Sequence, residues 1–199
     1  MRAKGRARYR GFALLVAFSL AAGVLAGQEA ARTKEQTDDA AALTEFTGRV
    51  NEYLKLRKTI EKQLPAMKST EELPEMIAAH QQALARKIRE ARPRARLGDI
   101  FTRAAREAFR HVIHSVFQDP QTGTTTHATI RQRKTIKEVH LQVNGTYPDA
   151  VAETTFPSTL LQKLPALPDE LAYRLMGRDL VLVDSKANLV VDLFHEALP

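Results

Sequence analysis

Leu171 to Phe194 reads LAYRLMGRDLVLVDSKANLVVDLF. Leu171–Met176 and Leu180–Asp184 flank Gly177-Arg178, and Ser185-Lys186-Ala187 leads into Asn188–Phe194. Two apolar runs separated by two turn residues, followed by a third, predict a three-stranded antiparallel meander. Leu180–Val183 and Leu189–Val191 are apolar at every position. Strands of that kind are covered on both faces, and the helices upstream are the expected cover. Asp179, Asp184 and Asp192 sit at strand ends, where aspartate serves turns; together with Tyr173 they mark the polar positions of the meander. The functional alternative is a recognition edge, with Asn188–Phe194 accepting a partner strand.

Upstream of the meander, Leu164-Pro165-Ala166-Leu167-Pro168 is an extended elbow and reads as a connector. A short helix is expected over Ser158–Leu164. Val139, Leu141 and Val143 have strand period, Asn144-Gly145 is a turn signal, and residues 128–137 are assigned a short helix. Residues 119–127 are turn and loop formers.

The first part of the chain has helical period. Leu43, Phe46, Val50, Tyr53, Arg57, Ile60, Leu64 and Met67 alternate spacings of three and four, a stripe interrupted only by Arg57. Ser69 and Glu72 have capping-box spacing for a second helix, with Pro74 as the alternative first turn. Leu73, Ile77, His80, Leu84 and Ile88 form its apolar side, His80 as a core or interface residue, and Arg92-Pro93 ends it. A third helix starts at the cap Thr102, buries Ala105, Ala108, Phe109, Val112, Ile113 and Val116, and stops before Asp119-Pro120. The fold class is therefore α+β: three amphipathic helices packed on a small C-terminal antiparallel meander, helical over 41–118 and α+β over 119–199, as one domain.

The N-terminus carries Arg2, Lys4, Arg6, Arg8 and Arg10, then an uncharged run from Gly11 to Gly27. This pattern predicts a secretory signal peptide over 1–26, cleaved after Ala26, followed by a flexible polar arm over 27–40. The rival is an uncleaved anchor, for which seventeen uncharged residues stand at the short end of the roughly 17–25 required. The formal charge of +7 is then mostly an export feature, because the five bases leave and the rest carries +2. The expected location is periplasmic or extracellular, with no transmembrane span after cleavage.

The segments Tyr173–Asp184 and Asn188–Asp192, with Gly98-Asp99-Ile100-Phe101-Thr102 and Val143-Asn144-Gly145-Thr146-Tyr147-Pro148, resemble a family of uncharacterised exported bacterial proteins. The resemblance implies export and transfers no catalytic residues. The last hairpin alone is similar to that of periplasmic nickel/cobalt-homeostasis proteins of the RcnB type.

The absence of cysteine excludes disulfides, thiolate metal sites and thiol nucleophiles. Past residue 27 the glycines at 48, 98, 123, 145 and 177 are too scattered for a dinucleotide or phosphate loop, and no Gly-x-Ser-x-Gly elbow or His-Glu-x-x-His helix occurs. Two sets of residues remain. Glu107, His111 and His114 fall on one helix face, a carboxylate and two imidazoles of the kind that hold a divalent metal; no other cofactor is indicated. Arg86, Lys87, Arg89, Arg92, Arg94, Arg96, Arg103, Arg106 and Arg110 make residues 69–118 net +3 against −2 for 119–199. Such a stretch suits an anionic envelope component or an acidic partner. Nucleic acid is disfavoured by export and by the lack of interleaved aromatics. The leading expectation is a non-catalytic interaction or structural protein of the cell envelope. A metal- or polyanion-binding protein is the alternative, and an enzyme of unrecognised type comes third.

Overall fold

The computed structural model describes residues 17–65, 74–121, 123, 140–148 and 156–199. The signal-peptide head, the Ser69/Glu72 capping box and the short helix expected at 128–137 lie outside these residues. Two compact units are present, Met1–Asp38 and Asp39–Pro199.

Helix α1 spans Ala17–Glu61. The arm expected at 27–40 is thus helical. Its Ala, Gln, Glu, Arg and Lys residues are good helix formers, and Thr33 and Thr37 donate their hydroxyls to the carbonyls of Glu29 and Thr33, each at 2.9 Å. Residues 31–38 are exposed. Among the described residues no helix is long and apolar enough to cross a membrane.

The second unit has the α+β architecture. Helices α2 (Pro74–Ala91) and α3 (Arg103–Gln118) follow the last turns of α1, then a one-turn helix α4 (Ser158–Leu161) and strands β1 (Leu171–Met176), β2 (Asp179–Asp184) and β3 (Leu189–Phe194). Thr102 is the cap of α3 and accepts the Ala105 amide at 3.3 Å. Phe46, Val50, Tyr53, Arg57 and Ile60 are all buried, so the α1 stripe faces the core as its spacing predicts. Of the described residues on the expected apolar side of α2, Leu84 and Ile88 are buried, His80 is half-buried and Ile77 is 46% exposed, while Leu73 lies outside the described residues. Phe46, Phe101 and Phe109 form the centre of the core. Ring centroids are 5.2 Å apart for Phe46–Phe101, 4.9 Å for Phe46–Phe109 and 5.3 Å for Phe101–Phe109. Such aromatic pairs each contribute roughly 0.5–1.5 kcal/mol beyond their buried area.

The sheet has the order β1-β2-β3, both pairs antiparallel. Gly177, at φ +58°, opens the two-residue turn between β1 and β2, a conformation that favours glycine. The β2–β3 register shifts between Leu182 and Val183: Leu182 faces Asp192 and Val183 faces Val190. Val191 is the extra residue of a bulge. Strict alternation from Leu189 would place Asp192 with Val190 on the far face. The bulge turns Asp192 to the side of Leu182, toward the helices.

The two faces of the sheet are covered differently. Leu180, Leu182, Leu189, Val191 and Phe194 join the helical core, whereas Val181, Val183, Val190 and Leu193 form a second cluster with Leu141, Val143, Tyr147 and Met176. Both faces are covered, and among the described residues the cover of the second comes from the chain at 141–147 and from Met176. That segment also occupies the outer edge of β3. Asn144 N–H donates to the Val190 carbonyl at 2.8 Å, Val190 N–H to Gly145 at 2.8 Å and Tyr147 N–H to Asn188 at 3.1 Å. The recognition edge expected at Asn188–Phe194 is therefore filled over its first half by the chain itself.

Candidate functional site

The charged groups inside the unit sort into those that hold the fold and those that face solvent. Arg57 and Asp184, 2% and 0% exposed, form a buried ion pair, Nε to Oδ2 at 2.7 Å. The Tyr53 hydroxyl donates to the same oxygen at 2.8 Å, and Asp184 Oδ1 accepts the Lys186 and Ala187 amides at 3.1 and 2.9 Å. Arg57 Nη1 donates to Glu61 at 2.8 Å, while the buried Nη2 has no hydrogen-bond partner among the described residues. Burial works against the charge on Arg57, but Asp184 and Glu61 outweigh it and raise its pKa. Burial, reinforced by Asp184, also raises the pKa of Tyr53 and keeps the phenol neutral.

Asp192 is equally buried but is held by backbone. It accepts the amides of Gly98 (2.9 Å), Ile100 (2.7 Å), Phe101 (2.8 Å) and its own neighbour Leu193 (2.8 Å). The aspartates at strand ends serve a turn at Asp184, as expected, but Asp192 fastens the loop before α3 to the sheet. Asp179 accepts from Glu196 N–H at 2.9 Å and pairs with His195 at 2.8 Å.

Part of the basic stretch is engaged by neighbouring groups. Arg89 donates to the Asn144 carbonyl at 2.7 Å and to the Thr146 hydroxyl at 3.0 Å. Arg92 lies over the Tyr53 ring, 5.1 Å from its centroid, and burial lowers its pKa. Arg110 covers Phe194 at 4.8 Å, and Arg103 pairs with Glu107 at 3.1 Å. These four are used by the fold or by a neighbouring carboxylate. Arg86, Arg94 and Arg96 are exposed, and Lys87 and Arg106 are half-buried.

Glu107, His111 and His114 are exposed on α3 and line a cleft of about 410 Å³ with Arg110, Arg178 and the 196–199 tail. Their polar atoms are directed to separate partners: Glu107 to Arg103, His111 Nδ1 to Asp39 at 2.9 Å, and His114 Nε2 to Gln118 at 3.2 Å. Among the described residues no three His, Asp or Glu side chains form a group able to hold a metal ion.

A larger cleft of about 750 Å³ opens where the end of α1, the start of α2 and the β2–β3 turn meet. Leu64, Pro65, Ile77 and Leu84 give it apolar walls; Lys58, Lys62 and Lys186, all exposed, and the half-buried His80 give it a basic rim. Its size is within the roughly 300–1,000 Å³ of small-molecule sites. The cleft was not foreseen, because its lining comes from three separated segments. One signal was present in the sequence: Arg57 within an apolar stripe, a cation whose burial requires an acid nearby.

Compared with protein-family models, curated proteins and solved structures, the chain has no match.

Proposed function

We infer that this is an exported cell-envelope protein that acts by binding rather than by catalysis, a reading supported by its basic N-terminal head followed by an apolar run. The observation that carries the reading is the 750 Å³ cleft with apolar walls and a lysine rim. Ile77, 46% exposed within it, is apolar surface that an occupant removes from water. The buried ion pair beneath holds the end of α1 against the β2–β3 turn.

The test uses the purified chain and the neutral dye N-phenyl-1-naphthylamine, which fluoresces in apolar surroundings. Saturable binding to the wild type, lost in Ile77→Glu, is the expected result. Ile77 is exposed enough for the substitution to leave the fold intact, as circular dichroism would verify. Absence of dye binding, or equal binding by the variant, would contradict the assignment of the cleft.

A further inference from the structure

We propose that the cleft takes a single-chain amphiphile with an anionic head, a medium-chain carboxylate being the simplest member of the class. The inference rests on the cleft being a binding site and adds the chemistry of its occupant. The described lining holds three lysines and one acid, Glu61, whose carboxylate already accepts from Arg57 at 2.8 Å. Among the described residues, and counting Arg57 and Asp184 behind the wall, four cations stand against two carboxylates, and the surplus of two positive charges lies on the solvent side. Lys58, in the last turn of α1, and Lys62, the residue just past its end, are four apart and joined by the Lys62 N–H to the Lys58 carbonyl at 3.3 Å, a spacing at which like charges repel. Lys186 joins them from the β2–β3 turn, whose position is set by its own amide on Asp184. An anion among these three ammonium groups relieves that repulsion, and the lysines adapt to a head of variable shape as point charges. Leu64, Pro65, Ile77 and Leu84 supply an apolar wall for the chain behind it. A head without a tail, such as inorganic phosphate, leaves that wall wet. A tail with a cationic head meets the lysines.

The experiment is displacement of N-phenyl-1-naphthylamine from the purified chain by decanoate, decyltrimethylammonium and inorganic phosphate, each below any aggregation threshold. Decanoate is expected to displace the dye at least ~10-fold more tightly than decyltrimethylammonium, with phosphate inert. The triple variant Lys58→Gln/Lys62→Gln/Lys186→Gln should weaken decanoate by ~10-fold relative to the dye measured on the same variant. Raising salt should weaken decanoate and not the dye. Equal displacement by the two amphiphiles, or a triple variant that binds decanoate as the wild type does, overturns the anionic head and leaves the cleft standing. Failure of the dye itself to bind overturns the underlying assignment. Anionic vesicles that bind the chain without competition from decanoate overturn the proposal in favour of a membrane surface.

Discussion

Asp184 and Asp192 lie on adjacent strands, face the same helices and are both fully buried, yet they are neutralised in different ways. Asp184 has a full countercharge in Arg57, a phenol and two turn amides. Asp192 takes its hydrogen bonds from backbone amides alone, three of them from the loop at 98–101. The second arrangement is a closed joint: the loop caps the carboxylate and Phe101 beside it enters the aromatic core. The first places a second carboxylate, Glu61, at the wall of a cleft, where it also accepts from Arg57. Two solutions to the same problem, a carboxylate in an apolar sheet, therefore differ in what they leave accessible. One fastens a loop, and the other supports a surface.

The largest effect that separates them is expected from Arg57→Ala. Removing one partner of a buried ion pair strands the other, at a cost of about 3–5 kcal/mol in urea denaturation. The paired replacement Arg57→Met/Asp184→Leu should recover most of that loss, and a loss below about 1 kcal/mol in the single variant would mean the pair is solvated. Asp192→Ala comes next, at about 2–3 kcal/mol, because it orphans backbone donors and takes a carboxylate from beside the half-buried Arg92, without stranding a fully buried charge. Amide exchange should accelerate at Gly98, Ile100 and Phe101 in that variant and be unchanged at Lys186 and Ala187. Thr102→Ala, which removes the cap at the end of the same loop, should cost about 1 kcal/mol.

The smallest effect at neutral pH is Tyr53→Phe, about 1 kcal/mol for one hydrogen bond of several on Asp184. Its consequence grows with alkali. Burial raises the Tyr53 pKa, with Asp184 adding to the shift, and burial alone raises that of Tyr173. Above the ordinary tyrosine value of about 10 the unfolded chain releases protons that the native state retains, so stability is full below that pH and falls as pH rises past it. The double variant Tyr53→Phe/Tyr173→Phe should flatten the fall, and an unchanged alkaline profile would show that the phenols are not its source.

Most of the fold is legible in the sequence where period and turn chemistry agree. The meander boundaries follow from Gly177-Arg178 and Ser185–Asn188, and α3 from its Thr102 cap and the Asp119-Pro120 stop. What is not legible depends on residues distant in sequence. The cover on the second face of the sheet comes from Leu141, Val143 and Tyr147, because Arg89 and Asn144 tie that segment to α2 and to β3. The nine basic residues look continuous in sequence, but helical geometry turns Arg89, Arg92 and Arg110 onto neighbouring elements. The bulge at Val191 reverses the face of Asp192, and no local pattern announces it. The cleft lysines belong to a helix end and a turn more than 120 residues apart. Only Arg57, polar in an apolar stripe, marks the place in advance.

The central claim is that the Asp184 side of the unit is its binding surface and the Asp192 side is structural. Amide chemical shifts recorded during a titration of the chain with decanoate test this most directly. Shifts should concentrate on Lys58–Leu64, Ile77–Leu84 and Ser185–Lys186, with Gly98, Ile100 and Phe101 silent. Perturbations centred on residues 98–101, or spread evenly over the surface, would contradict it.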